Sequence, residues 1–356
     1  RMYREDGTQN QIGTWPISIQ ISTDIDEDYP LEWIFRRESL SEGMKESYGN
    51  ATIRFWNRYE SLEDMPVLAF FSDGFPHENV RIGTKIQDKL NSPYGLSQAD
   101  GYYNWDDPRD SSIVWQQYFV MQWKNHIYGH HEHHEEEYLR EVRNCMIKFS
   151  QPIDDAEENT DFILNDITVV ARGDKKEVMV LKFKNGMSLP AGYLRAFAMA
   201  FDIANRAFLL NQNCNPQGIA FIDEIDLHLH PSLAQEILER MQRAFPRLQF
   251  IVSTHSPLVV SNYRQDAKEN LIYSIFSGKR HQGLSKQVSY SYGIDYNSLL
   301  VDLMGTRVRN TILRKYIEEF RYWNGSKETE LAEIAMKQIV ELVGPNSSIV
   351  TKLKNR

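Results

Sequence analysis

The stretch that most constrains the fold extends from Gly218 to Pro231 and reads Gly-Ile-Ala-Phe-Ile-Asp-Glu-Ile-Asp-Leu-His-Leu-His-Pro. Its apolar residues 219–222 predict a buried strand of a parallel sheet, because such strands read as short continuous hydrophobic segments. Two acids, Asp223 and Glu224, follow directly. Two carboxylates at the end of a core strand cost free energy unless their charge is used. We therefore expect a functional site there, in preference to two incidental surface acids.

The carboxyl end of a parallel strand is the edge at which nucleotide-binding α/β folds hold their ligand. One acid can hold Mg²⁺, directly or through water, while the other orients or deprotonates an attacking water. Asp223 and Glu224 thus have the form of a Walker B strand of a P-loop ATPase, in the version that hydrolyses ATP.

A second apolar strand is predicted at residues 249–252, and it is followed by Ser-Thr-His-Ser-Pro with His255 at its centre. Residues 231–245 between the two strands have apolar side chains at helical spacing, so the three segments predict a right-handed strand–helix–strand unit. This unit brings the ends of both strands together. We expect His255 near the two acids, where it can donate to a phosphate oxygen and sense the γ-phosphate. A purely structural histidine is the alternative.

A glycine-containing turn, Leu189-Pro-Ala-Gly-Tyr-Leu-Arg195, precedes a predicted helix that extends to about Leu210. Such a turn presents backbone N–H groups and a positive dipole end to an anion. The apolar face predicted for this helix consists of Leu194, Phe197, Phe201, Ala204 and Phe208.

These motifs together resemble the ABC-type ATPase heads of the OLD/RecF/SMC class, and most of all the AAA-like ABC ATPases of bacterial anti-phage systems, such as the Septu-type and retron-linked ATPase subunits. The similarity is carried by residues 189–195, 223–231 and 253–257, and more weakly by 65–71 and 292–299. It implies an α/β fold, a P-loop NTPase of ABC-ATPase-head type with an antiparallel β lobe, a helical insertion and a C-terminal helical extension.

The resemblance also implies roles for individual residues. Asp223 would hold Mg²⁺, Glu224 would be the catalytic base, and His255 would be the switch histidine. The residues expected to contact ATP across a dimer interface are Leu189, Gly192, Arg195, Asp226, His228 and His230. ATP and Mg²⁺ are therefore the expected cofactors.

Two departures from the family pattern bear on activity. Pro190 stands where the signature Leu-Ser-x-Gly has its serine, so the hydroxyl contact to the γ-phosphate is missing, although Gly192 keeps its backbone donor. No Gly-x-x-x-x-Gly-Lys-Ser/Thr loop occurs in the 356 residues. The strand expected at residues 15–22 follows the P-loop helix in the family, so we expect the P-loop upstream of Arg1. A natural pseudo-ATPase is the alternative.

The sequence predicts four parts. They are an antiparallel β lobe at 1–80, an aromatic-rich helical insertion at 81–150, an ATPase core at 151–283 that holds the parallel sheet and a further strand at 271–276, and a C-terminal helical region at 284–356 with amphipathic segments at 313–323 and 331–343. We expect the insertion where such ATPases carry a helical arm, although it lacks sustained heptads.

Composition fits a globular cytoplasmic protein, with 41% hydrophobic and 25% charged residues and no stretch that approaches a membrane span. The two cysteines, Cys145 and Cys214, are far apart in the chain, so no disulfide framework is expected. The net charge of −9 argues against binding nucleic acid by charge alone.

Two polar clusters invite a functional interpretation that their composition does not favour. Arg307, Arg309, Arg314 and Lys315 form a candidate basic patch, but a solvated helix face explains them as well. The histidines in residues 126–134 include an i, i+4 pair that could share a zinc ion. This segment is polar throughout and offers no buried second shell, so an exposed helix or loop is favoured.

The resulting hypothesis is a cytoplasmic, ATP-hydrolysing dimeric switch, with two heads face to face in head-to-tail orientation. The resemblance implies an effector nuclease of anti-phage defence as partner, with nucleic acid reached through that partner and no membrane involved. The chain itself has no nuclease constellation. Two alternatives stay open: a non-hydrolysing, ATP-stabilised scaffold, motivated by Pro190, and a DNA-repair ATPase of the RecF/OLD type.

Overall fold

The computed structural model describes most of the chain between residues 17 and 354. The described ranges are 17–23, 31–37, 45–47, 65–76, 80–92, 95–106, 109–129, 133–153, 163–172, 176–184, 186, 191–265, 270–277, 283–306 and 310–354. Six residues of the sequence hypotheses lie outside these ranges: Leu189, Pro190, Arg307, Arg309, and His130 and His131 of the histidine-rich segment.

The elements alternate between strands and helices along much of the chain. The strands are β1 Ile17–Thr23, β2 Leu31–Arg37, β3 Lys45–Ser47, β4 Val67–Phe71, β5 Leu164–Arg172, β6 Lys176–Phe183, β7 Gly218–Ile222, β8 Leu248–Val252, β9 Ile272–Ser277 and β10 Gly283–Val288. The α-helices are α1 Thr84–Leu90, α2 Ser111–Tyr128, α3 His133–Ser150, α4 Ala191–Asn211, α5 Pro231–Ala244, α6 Pro257–Asn262, α7 Tyr296–Asp302, α8 Thr311–Gly325, α9 Thr329–Val343 and α10 Ser348–Lys354, and Gln98–Tyr102 form a 3₁₀ helix.

Three strands form a parallel sheet in the order β4-β7-β8. The strands predicted around the two acids are confirmed as β7 and β8, and α5 connects them. The third strand, β4, falls in the part of the sequence assigned to the antiparallel lobe, yet it pairs in parallel with β7 from Val67↔Gly218 to Phe71↔Ile222. A Cβ on Gly218, where φ is 140°, would lie 2.0 Å from the Val67 carbonyl oxygen, so this close approach requires glycine. The α/β class with a parallel sheet is therefore confirmed.

The helices of residues 81–150 belong to the main hydrophobic core. Helices α2 and α3 contact α4, and their aromatic side chains are buried with those of α4. Residues 111–128 and 133–150 are therefore helical, as predicted, and pack on α4, while their assignment as an insertion stays a prediction. The buried aromatic residues explain this arrangement, since an arm would expose them: they are Trp115, Tyr118, Phe119, Tyr138 and Phe149.

Helix α4 is buried around almost its whole circumference. Of the apolar face predicted for it, Phe197, Phe201, Ala204 and Phe208 are buried, whereas Leu194 is 47% exposed. The first turn of α4 therefore presents one apolar side chain, that of Leu194, to solvent, while Tyr193 in the same turn is buried in the core.

Helix α4 also contains a fully buried ion pair. The Arg206 Nε donates to Asp202 Oδ1 at 2.5 Å, and both side chains have 0% exposure. The indole N–H of Trp115 donates to the other oxygen of Asp202 at 2.7 Å. The Arg206 Nη1 donates to the carbonyl oxygens of Gly101 and Tyr103, at 3.1 and 2.9 Å. The pair thus connects α4 to α2 and to the 3₁₀ helix.

The remaining described strands form antiparallel sheets. They are a three-stranded sheet in the order β1-β2-β3 and the hairpins β5-β6 and β9-β10. The further strand predicted at 271–276 corresponds to β9. In the described residues β9 pairs with β10 and not with a strand of the parallel sheet.

The amphipathic segments predicted near the C-terminus are confirmed as α8 and α9, and they share a small second core with α10. On α8, the Arg314 Nε lies 2.7 Å from the Glu318 carboxylate, and the Lys315 Nζ lies 3.8 Å from that of Glu319. The described part of the candidate basic patch therefore consists of exposed charges that are already paired.

The structure also bears on the predictions about membrane spans, metal ligands and cysteines. Within these ranges no helix is long and apolar enough to cross a bilayer, and no group of three or more potential ligands could hold a metal ion. His134 packs its ring on Phe208, with the centroids 5.5 Å apart. The two cysteines, distant in sequence, are both buried in the core, and their thiols donate to backbone carbonyl oxygens: Cys214 to Ala204 at 3.5 Å and Cys145 to Ala244 at 3.8 Å.

Candidate active site

The two acids lie at the carboxyl edge of the parallel sheet, held between the ends of its two outer strands. The backbone N–H of Asp223 donates to the Phe71 carbonyl oxygen at 2.8 Å. On the other side, the Ser253 N–H donates to the Ile222 carbonyl at 2.9 Å, and the Ile225 N–H donates to the Ser253 carbonyl at 3.0 Å. The backbone of the acid pair is therefore fixed by β4 and by the residue that follows β8.

The side chain of Ser253 connects the two acids directly. Its hydroxyl donates to Asp223 Oδ1 at 2.5 Å and accepts the backbone N–H of Glu224 at 2.8 Å. One hydroxyl therefore orients the Asp223 carboxylate and fixes the backbone from which the Glu224 side chain projects.

Glu224 adopts a left-handed backbone conformation with φ of 47°. This conformation costs a residue with a Cβ about 1–2 kcal/mol, which the neighbouring hydrogen bonds offset. The Glu224 side chain is 38% exposed, and its Oε1 lies 3.9 Å from Nε2 of His255, which is 91% exposed. The structure thus brings His255 to the acids as the strand order predicts, with both groups accessible from solvent.

A second pair of hydrogen bonds holds Asp226 against the loop after β8. The Thr254 hydroxyl donates to Oδ1 of Asp226, and the Ser256 N–H donates to the Thr254 hydroxyl oxygen at 3.0 Å. In this arrangement Asp226 links the two loops of the site. Its predicted contact with ATP across a dimer interface stays a prediction.

The N-terminal end of α4 packs on the loop that follows the acids. The Gly192 carbonyl oxygen accepts the His230 N–H at 3.1 Å, and a Cβ on Gly192 would lie 3.1 Å from both the His228 carbonyl oxygen and the His230 nitrogen. The Tyr193 and His230 rings are stacked at 6.0 Å, and Nδ1 of His230 lies 2.8 Å from the Ser232 hydroxyl in the first turn of α5. The predicted residues Gly192, His228 and His230 therefore form one contact region.

Arg195 differs from its predicted role as a nucleotide contact, because its side chain is turned inward and is only 3% exposed. Its Nη1 donates to the Asp73 carbonyl at 2.9 Å. Its Nη2 donates to the carbonyls of Ser72 at 3.1 Å and Asp223 at 2.6 Å. Burial lowers the pKa of Arg195, and the carboxylates around it, led by Asp73, act in the opposite direction.

Asp223 and Glu224 fit a magnesium site in which the protein supplies only one or two ligands. Mg²⁺ is usually held by one or two carboxylates together with water and substrate phosphates. Asp223 is exposed at the sheet edge, and Ser253 occupies one of its oxygens. This donor set is adequate for Mg²⁺, although the sequence supplies no Gly-Lys-Ser/Thr loop to hold the phosphates.

Comparison with known proteins identifies the same region. The family described as "AAA domain, putative AbiEii toxin, Type IV TA system" matches residues 204–261, which include both acids and His255. "Retron Vc95 probable ATPase" of Vibrio cholerae serotype O1 biovar El Tor is 27% identical over 280 residues, 73% of this chain and 48% of the relative. The resemblance to ATPases of anti-phage systems is confirmed.

Two further relatives agree with it over shorter lengths. "Retron Ec83 probable ATPase" of Escherichia coli is 51% identical over 77 residues, 20% of this chain and 14% of the relative. "Septu protein PtuA" of Bacillus mycoides (strain KBAB4) is 33% identical over 125 residues, 34% of this chain and 18% of the relative. The chain therefore spans at most about half the length of these relatives.

Proposed function

We propose that this chain is an ATP-binding and ATP-hydrolysing subunit of an anti-phage defence system, which forms a nucleotide-dependent dimer and controls a partner effector nuclease. The observation that carries the proposal is the exposed Glu224 carboxylate, which lies beside Asp223 and 3.9 Å from His255 at the carboxyl edge of the central strand. The similarity to the retron and Septu relatives supports the defence setting.

The site residues would divide the work of hydrolysis among them. Asp223 would hold Mg²⁺, which neutralises the charge of the phosphates when it is bound. Glu224 would orient a water molecule and accept its proton, since a general base must lie within reach of the proton it removes. His255, with its ring in solvent, would donate a hydrogen bond to the phosphate oxygen that gains charge. Ser253 would keep the first two groups in register.

The proposal is tested by native mass spectrometry of the protein as its gene encodes it, co-expressed with the neighbouring genes and purified with ATP and Mg²⁺. We expect an even number of copies of this chain, with bound nucleotide and a nuclease subunit. Phosphate release by the same preparation checks hydrolysis. If bound nucleotide is retained and never hydrolysed, the non-hydrolysing scaffold is favoured over the ATP-hydrolysing switch. A protein that carries no nucleotide would refute both hypotheses.

Replacement of Ser253 by alanine tests the geometry of the acid pair. The variant loses the hydroxyl that orients Asp223 and accepts the Glu224 N–H, so we expect the turnover number for ATP to fall by about 10-fold, in the range that small misplacements produce. Ser256→Ala is the matched control, because Ser256 caps α6 through the Leu258 N–H. Its loss should cost about 1 kcal/mol of stability and leave turnover unchanged. Equal turnover in the two variants would contradict this role of Ser253.

A further inference from the structure

The site contains one buried cation whose role the hydrolysis proposal does not use. Arg195 lies on α4, and its guanidinium reaches the carboxyl ends of two strands, β4 and β7, beneath the acid loop. Three carbonyl oxygens, those of Ser72, Asp73 and Asp223, receive its donors at 2.6–3.1 Å. The guanidinium thus holds together the sheet edge and the N-terminal end of a helix.

The same end of α4 is attached to the acid loop at a second point. Gly192, three residues before Arg195, accepts the His230 N–H, and Tyr193 stacks on the His230 ring. The segment from Asp223 to His230 is therefore connected to α4 at both of its ends. A shift of this end of α4 must move the backbone of the acid loop or break these contacts.

Charge strengthens the first of the two attachments. Four carboxylates, those of Asp73, Asp223, Glu224 and Asp226, interact electrostatically with the buried guanidinium. A planar guanidinium can donate to several oxygens at fixed angles, whereas the ammonium of lysine is a single point charge. Position 195 therefore requires both the positive charge and the forked geometry of arginine.

We propose that Arg195 is a positioning residue that couples the N-terminal end of α4 to the Asp223–Glu224 pair, so that the placement of this helix end regulates hydrolysis. The regulation of hydrolysis rests on the proposed ATPase function, whereas the coupling of α4 to the acid pair rests on the contacts of Arg195 alone. A second copy of this chain that contacts Leu194, the exposed side chain of the first turn of α4, would act on Glu224 through Arg195.

The test compares Arg195→Gln and Arg195→Lys with the unchanged protein. In Arg195→Gln we expect the turnover number for ATP to fall by about 10- to 100-fold, with KM changed by less than about 3-fold, because the group acts on the chemical step and not on substrate binding. Arg195→Lys keeps the charge and loses the fork, so it should recover part of the turnover. If Arg195→Gln does not fold, Arg195→Lys still tests the proposal, because its turnover number should lie below that of the unchanged protein.

Hydrogen exchange gives a readout that does not depend on ATPase activity. In Arg195→Gln the amides of residues 223–230 should lose protection by about 10-fold or more, while those of the β5-β6 hairpin keep theirs. Arg243→Gln is the matched control, because Arg243 donates to the carbonyl oxygens of Pro152 and Gln151, away from the acids. It should leave both the exchange at 223–230 and the turnover number unchanged.

The outcomes separate this inference from the proposed function. Unchanged exchange at 223–230 in Arg195→Gln would overturn the positioning role even if the protein hydrolyses ATP. Increased exchange there in a protein without turnover would keep the coupling and remove the ATPase. An equal increase in hydrogen exchange at 223–230 in Arg243→Gln would show that any destabilising substitution has this effect, and it would also overturn the inference.

Discussion

Replacing Glu224 by glutamine is expected to lower the turnover number for ATP by about 100- to 10,000-fold, the range that a general base contributes. Glutamine has nearly the same shape as glutamate, so the loop and its bonds to Ser253 should persist. What is lost is the ability to accept a proton from water. Because nucleotide still binds, the variant should accumulate as an ATP-bound dimer.

The measurement combines steady-state phosphate release with the mass of the nucleotide-bound species. Glu239→Gln on α5 makes the same chemical change at an exposed position and should leave turnover unaltered. Wild-type turnover in Glu224→Gln would exclude Glu224 as the base. Loss of nucleotide binding in this variant would indicate that the carboxylate serves to bind Mg²⁺ instead.

The second large effect is expected in the core, at the buried ion pair of α4. Replacing Arg206 by methionine should lower the free energy of unfolding by about 3–5 kcal/mol, because the Asp202 carboxylate is left charged and buried. The carbonyls of Gly101 and Tyr103 lose their donor in the same variant. Urea unfolding followed by tryptophan fluorescence measures the change.

A second substitution serves as the control for this interpretation. In the double variant Asp202→Asn with Arg206→Met the buried negative charge is gone, while the amide oxygen can still accept the Trp115 N–H. The double variant should therefore be more stable than Arg206→Met alone. A double variant that is less stable would show that packing, and not the uncompensated charge, dominates the cost.

The sequence predicts the part of the site that is formed by short motifs of consecutive residues. Two short apolar segments, each followed by polar residues, predict β7 and β8, and the strand–helix–strand connection then places His255 beside Glu224. The local pattern and the handedness of the connection are sufficient to place these residues. This is why these predictions hold without any knowledge of the rest of the fold.

Other parts of the site depend on contacts between distant segments. Strand β4 pairs with β7 from far away in the chain, and neither its direction nor its place in the sheet can be inferred from five apolar residues. The family resemblance predicts Arg195 as a ligand contact, but its side chain donates to the carbonyls of Ser72 and Asp73. The acceptors are backbone carbonyl oxygens, which every residue type carries, so the sequence holds no signal of that contact.

The same limit applies to the core helices. The segment around α2 and α3 suggests an insertion because polar residues interrupt it, yet its aromatic side chains fill the space beside α4. Hydrophobic content alone does not distinguish a helix that packs on the same domain from one that forms an arm. The buried partner of Trp115, Asp202, identifies which arrangement is adopted.

The two buried cysteines have a practical consequence for labelling experiments. The reactive form of cysteine is the thiolate, and the neighbouring Cys145 side chain, together with burial, raises the pKa of Cys214. Cys145 is itself only 4% exposed. Since the sequence has no other cysteine, a single thiol introduced on the surface, for example at the exposed Ile334 on α9, would react with maleimide dyes far faster than the native pair. Fluorescence transfer between two such chains would then test the proposed dimer without removing either native cysteine.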